Sequence, residues 1–301
     1  MRTVKWLWYP YIAYGSITLL QGEQGSGKTS MMLDLAAEMS KGGMPPTFEE
    51  YEGPVSVLLQ SADDSPGYLK SRLTANGASY DKVYRITGED ISINSSRLIQ
   101  AIRERRPRLV VFDPVEAFLM DNYSGPTGVH QLKKDIRNLS YIAMAYNCAI
   151  ILTTYHDAQF RDGYNDFIGK LEQFPEIKSV LRIETKQGKI TQRTLWQRRN
   201  EYGPLGSSQQ FRIEKGPDLY WLTGMRNSAP TESKQVEEKV PGKKGQAVRL
   251  LVEELEKGDK LAKEMIQTSA TQGIGKSTLE DAKKTIGIES YRKNRQWYWK
   301  I

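Results

Sequence analysis

A chain of 301 residues with 39% apolar content holds enough material for one large domain and a small one, and its single cysteine, Cys148, excludes an internal disulfide. Two histidines and one cysteine exclude a zinc-type cage of His and Cys ligands. The formal charge of +7 permits a nucleic-acid partner without requiring one; residues 241–301 carry 13 Lys/Arg against 8 Asp/Glu, which places most of the excess at the C-terminal end.

The N-terminal run MRTVKWLWYPY has too short an apolar part for a secretory signal and no small-residue cleavage site, so it reads as part of the fold. No stretch resembles a membrane span, and the expected location is the cytoplasm, with Cys148 a buried thiol in the apolar run that ends at Leu152. Ser16 to Leu20 predicts a buried strand. Directly after it, Gly22 to Thr29 reads GEQGSGKT, a match to the phosphate-cradling pattern GxxxxGK[ST]. Met31, Leu35 and Met39 then recur at helical spacing, so strand, loop and helix stand in the order this chemistry needs. The glycines let successive amides and the helix N-terminus converge on phosphate oxygens. Lys28 is expected to reach the β and γ phosphates and Thr29 to bind Mg²⁺, so ATP with Mg²⁺ is the expected cofactor pair. The set expected to contact nucleotide is Gly22, Glu23, Gln24, Gly25, Ser26, Gly27, Lys28, Thr29 and Ser30. A second GKST string, Gly275 to Thr278, has no leading strand and reads as a helix start.

After a Gly/Pro-rich excursion, Val55 to Gln60 predicts a strand with Asp63 and Asp64 just beyond it. Arg108 to Pro114 holds four apolar residues ending in Asp113, a candidate for holding Mg²⁺ through water. A helix from about Val129 to Tyr146 leads to a strand from Ala149 to Thr154, with His156 after it as a candidate polar sensor; His130 reads as surface. Continuous apolar strands alternating with helices indicate an α/β fold with a mostly parallel sheet covered on both faces. Val180 to Glu184, Gln192 to Gln197, Phe211 to Glu214 and Leu219 to Leu222 then alternate, as an antiparallel extension does.

Residues 226–245 are polar and aperiodic and read as a flexible linker, which divides the chain into domains 1–225 and 246–301. In the second, three short helical patterns precede a basic hairpin around Arg292, Lys293 and Arg295, the layout of a winged helix-turn-helix. Ser277 and Glu280 have capping-box spacing, and Trp297 and Trp299 are expected in the core.

Four pieces within residues 5–225 make the chain resemble the RecA-like P-loop ATPases, and within them the DnaB-type and plasmid RepA-type hexameric helicases. They are GEQGSGKT, LVVFDP, LLQSADDSPGYLKSRL and QRRNEYGPLGSSQQF. The resemblance implies that Asp63 orients the attacking water, with Asp64 beside it, and that Arg199 is an arginine finger donated to a neighbouring subunit's ATP. It departs from the family in the shorter Asp63, in Gln197 where a lysine is usual with Arg198 as its substitute, and in Gln159 and Arg161 after His156. It further implies a homo-oligomer, a hexameric ring with DNA in its channel, and a start at this N-terminus suits the shorter RepA type. Loops 115–128 and 157–178 would face that channel, with Arg161, Lys170 and Lys178 on phosphates and Tyr164 or Phe167 stacking bases. Lys276, Lys283, Lys284, Arg292, Lys293 and Arg295 are candidates for duplex contacts. The functions that follow are a DNA motor of the replicative helicase kind, an ATP-switched adaptor or initiator with slow hydrolysis, or a recombination mediator.

Overall fold

The computed structural model describes residues 4–43, 53–62, 65–88, 91–119, 125–155, 171–185, 192–213, 219–221 and 242–301. An N-terminal hairpin of β1 (Trp6–Trp8) and β2 (Ile12–Ala13) leads into β3 (Ile17–Gly22), α1 (Lys28–Lys41), β4 (Val57–Ser61), α2 (Pro66–Ala75) and β5 (Val83–Tyr84). Next come α3 (Ser96–Arg105), β6 (Leu109–Asp113), α4 (Gly125–Tyr146), β7 (Ala149–Tyr155) and β8 (Ile177–Thr185). The chain then turns antiparallel through β9 (Gln192–Asn200), β10 (Gln209–Ile213) and β11 (Leu219–Trp221).

These strands form one nine-stranded sheet in the order β11-β10-β9-β8-β3-β7-β6-β4-β5, parallel from β8 to β5. A sheet buried on both faces needs apolar side chains at odd and even positions alike, which is why β3, β6 and β7 read as continuous apolar runs. Leu20, Val111 and Ile151 face α1 and α2, whereas Leu19, Phe112 and Leu152 face α3 and α4. Fully buried Phe112 is among the largest side chains in that second layer; truncating it to alanine would cost about 3–5 kcal/mol. Serine caps set two helix starts: Ser65 Oγ accepts from the Tyr68 amide at 3.3 Å with Pro66 as first helical residue, and Ser95 Oγ accepts from the Leu98 amide at 3.2 Å.

The C-terminal module comprises α5 (Gly242–Leu255), β12 (Lys260–Leu261), α6 (Ala262–Thr271), α7 (Lys276–Thr285), β13 (Glu289–Lys293) and β14 (Gln296–Lys300), with strand order β12-β14-β13. It does not stand apart from the large sheet. Val248, Leu251, Leu279 and Ile286 share one continuous core with Leu98, Ile102 and Tyr146 of α3 and α4. Tyr146 donates to the Ile286 carbonyl at 2.6 Å, and Arg103 bridges to Glu289 at 2.6 Å while donating to the Gly287 carbonyl at 3.1 Å.

Three features of the fold differ from the sequence expectation. Residues 242–245, assigned to the linker, are the first turn of α5, and the remainder of that segment to 241 lies outside the described residues. The capping box is not formed: Gly275 is the N-cap of α7 without a side-chain cap, so Ser277 lies inside the helix. Trp299 is buried but Trp297 is 55% exposed, because it sits next to the hairpin turn, beyond the cover of the helices.

Candidate nucleotide-binding site

The loop from Gly22 to Thr29 joins the end of β3 to the start of α1, with little room for a side chain at Gly22 and a left-handed backbone at Gly27. A side chain at Gly22 would run into Ser26 Oγ and stand 3.2 Å from the Ile183 carbonyl. Gly27 has φ 99° and faces Ile213, whose Cδ1 would lie 2.5 Å from any added Cβ. The Ser26 amide donates back to the Glu23 carbonyl at 3.1 Å, closing the loop on itself. Glu23, Gln24 and Gly25 are exposed at its crest, and Thr29 and Ser30 are half-buried in the first turn of α1. Ser30 Oγ accepts from Arg72 Nη2 of α2 at 3.0 Å.

Lys28 is buried, with Nζ donating to the carbonyls of Gly22 at 2.8 Å and Glu23 at 3.0 Å. The same ammonium lies 4.4 Å from the centroid of the Tyr155 ring at the end of β7. A flexible cation held by neutral acceptors is ready to exchange them for phosphate oxygens, which bind it more strongly.

Asp113 ends β6 on the same edge of the sheet, separated from the loop strand by β7 alone. It is buried and accepts a hydrogen bond from Thr153 Oγ1. Ser61, directly opposite it on β4, has a buried hydroxyl without a hydrogen-bond partner among the described residues. Two hard oxygen donors, Thr29 and Asp113, with an orphaned hydroxyl beside the second, suit a hydrated Mg²⁺. Bound there, the ion would screen phosphate charge.

Two residues not singled out in the sequence also line this region. Glu116, in the 3-10 turn Val115–Phe118, accepts from Thr154 Oγ1 and from the Tyr155 amide at 3.2 Å. Its second oxygen is buried without a hydrogen-bond partner among the described residues, and burial pushes its carboxyl pKa up against the lowering effects of Thr154 and Lys28. Arg193, on β9, donates to the carbonyls of Ser26 and Gly25. The available signal was a charged residue at an inward register position, since Arg193, Leu195 and Gln197 alternate with more exposed neighbours.

The remaining candidates are dispersed. Asp63, Asp64, His156, Arg161, Tyr164, Phe167 and Lys170 lie outside the described residues. Arg199 is tethered within its own chain, donating to the carbonyls of Glu172, Phe174 and Ile177. Gln197 is buried and spans three elements: Nε2 donates to the Pro10 carbonyl at 2.8 Å and to Ser179 Oγ at 3.1 Å, and Oε1 accepts from the Gly206 amide at 2.7 Å. Arg198 is the exposed cation of the trio, paired with Glu184. In the C-terminal module, Lys276, Lys284, Arg292, Lys293 and Arg295 are exposed, whereas Lys283 is turned onto the Trp299 ring 5.0 Å away and towards Glu280.

A phosphate loop after the central strand of a mostly parallel sheet, with an acidic strand end one strand away, defines a RecA-like P-loop ATPase. Residues 1–157, just over half of the chain, match the family model AAA_25, described as an AAA domain, and the chain belongs to that family. It is 30% identical over 132 residues to the DNA repair protein RadA of Mycolicibacterium smegmatis, covering 44% of this chain and 25% of that protein. With RadA of Bacillus subtilis the identity is 26% over 142 residues, covering 47% and 28%. The chain thus spans about a quarter of the length of the curated relatives it matches. A crystal structure of the RadB recombinase aligns with TM-score 0.47 and 20% identity, over 67% of this chain and 89% of that one. Among the described residues, no helix is long and apolar enough to cross a membrane, and no cluster of three or more His, Cys, Asp or Glu forms a metal site.

Proposed function

We propose that this chain is an ATP-hydrolysing motor that acts on DNA, working as a ring of copies in the manner of a replicative helicase. The observation that carries the reading is the pairing of Lys28 in its glycine-shaped loop with Asp113 one strand away on the same sheet edge. In this reading Lys28 neutralises the phosphates, Thr29 and Asp113 hold Mg²⁺, Asp63 orients water and His156 senses the nucleotide state. Similarity to proteins named for DNA repair supports DNA over RNA as the polymer, and it also gives some support to a recombination-type role.

The C-terminal module is read as a winged helix, supported by its order of helix, short strand, two helices and hairpin. Exposed Lys276, Arg292, Lys293 and Arg295 are then its duplex-facing cations.

A second reading, an ATP-switched DNA-binding adaptor with slow turnover, is favoured by Arg199. Three backbone carbonyls of its own chain hold that side chain, so service in a neighbouring copy requires their release. Steady-state ATP hydrolysis with and without single-stranded DNA separates the two, with Lys28→Ala as control. Stimulation that vanishes in the control supports the motor and leads to a strand-displacement assay; tight ATP binding with negligible, unstimulated turnover supports the switch.

A further inference from the structure

Arg193 stands six residues before Arg199 and outside the segments that resemble known ATPases. It is 7% exposed, and its guanidinium reaches the phosphate loop from β9: Nε donates to the Ser26 carbonyl at 3.0 Å and Nη2 to the Gly25 carbonyl at 3.3 Å. On β10 it pairs with Phe211, which together with Ile213 lies against Gly27. The antiparallel extension therefore grips the loop through one cation and two apolar side chains.

A phosphate cradle turns its amides inward and its carbonyls outward. Outward carbonyls that are buried, as those of Gly22 and Ser26 are, need donors of their own. Lys28 supplies them for Gly22 and Glu23, but Lys28 is the side chain that phosphates draw away. Arg193 supplies them for Gly25 and Ser26 from a strand held on both sides by β8 and β10. An arginine fork also stays charged under burial, so it adds fixed positive potential behind the loop.

We propose that Arg193 is a positioning residue for nucleotide binding: it holds the Gly25 and Ser26 carbonyls outward, so that the loop's amides are set for a polyphosphate before one arrives. The assignment rests on the nucleotide reading of the loop. Its ligand class is any nucleoside di- or triphosphate, or bare tripolyphosphate, because Arg193 acts on the phosphate cradle and not on a base.

The test uses the full chain as wild type, Arg193→Met, Arg193→Lys and Lys28→Ala. Calorimetric titration with ADP, a non-hydrolysable ATP analogue and tripolyphosphate, each with Mg²⁺, is set beside thermal unfolding of the ligand-free proteins. The expected result is a loss of about tenfold or more in Arg193→Met, by a similar factor for all three ligands, with a smaller loss in Arg193→Lys. Arg193→Lys should melt like wild type, which a purely structural role shared with β9 packing does not explain if affinity still falls. Affinity within twofold of wild type in Arg193→Met overturns the proposal. Should that variant fail to fold, wild-type affinity in a normally melting Arg193→Lys overturns it instead, and weakened affinity supports it. A wild-type protein that binds none of the three ligands overturns the nucleotide reading itself and the proposal with it.

Discussion

The Lys28 ammonium lies over the Tyr155 ring, 4.4 Å from its centroid, while it donates to the Gly22 and Glu23 carbonyls. The end of β7 and the phosphate loop are thereby joined through one buried cation. Lys28→Ala removes the charge that phosphates would attract and is expected to weaken binding of Mg²⁺-ATP by at least about tenfold. Titration calorimetry measures this directly; unchanged affinity would remove Lys28 from the site.

Gly27→Ala tests the loop's shape rather than its charge. At φ 99° an alanine is strained, and its Cβ would meet Ile213 Cδ1 at 2.5 Å. A loss of about 1–3 kcal/mol in urea unfolding is expected, together with weaker nucleotide binding. Gly25→Ala is the informative contrast. Gly25 also has positive φ, but nothing stands within 4 Å of its Cβ position, so strain acts there without a clash and the cost is smaller.

Gln197→Lys restores the residue usual at this position in the ATPases that the chain resembles, yet the structure predicts damage. A lysine cannot accept from the Gly206 amide, and it would bring a charge into the buried site where Gln197 bonds Pro10 and Ser179. The expected cost is about 1–3 kcal/mol, read from chemical denaturation. A gain in ATP turnover without that cost would show that position 197 serves a neighbouring copy.

Alkaline pH should destabilise the protein through α4 and the start of β7. Burial pushes the Cys148 thiol up to about 12 and the Tyr146 phenol up to about 12. Both groups are acids whose folded pKa lies above the unfolded one, so the unfolded chain loses its protons first and stability falls as pH rises. For Cys148 the window runs from its ordinary value of 9.0 to about 12, and for Tyr146 from 10.0 to about 12. Urea midpoints measured from pH 8 to pH 11 should decline, and Cys148→Ala should flatten the part of the decline that begins first. In the folded protein at neutral pH, Cys148 should resist thiol reagents, becoming reactive only on unfolding.

Much of the architecture is legible in the sequence. Continuous apolar runs marked β3, β6 and β7 as doubly covered parallel strands, and alternating runs marked β9, β10 and β11 as the antiparallel edge, whereas β8, expected within that edge, pairs in parallel with β3 and only its far side is antiparallel. The phosphate loop was legible because its chemistry is local: glycines, a lysine and a threonine at set spacing between a strand and a helix.

Partnerships across the sheet were not legible, and β9 shows why. Strict alternation places Arg193, Gln197 and Arg199 on one face. A bulge at Arg198 pairs Gln197 with Leu181 but Arg199 with Val180, which face opposite layers. Arg199 is thereby turned away from the face on which Arg193 meets the phosphate loop. Glu116 likewise depends on parallel pairing of β6 with β7, which brings Thr154 and Tyr155 to it from almost forty residues along the chain. Most element types follow from neighbours in sequence, so composition and spacing marked them even where a bulge or an element boundary escaped. The partner that a buried polar group meets follows from strand order and register, which arise only when distant segments pack against each other.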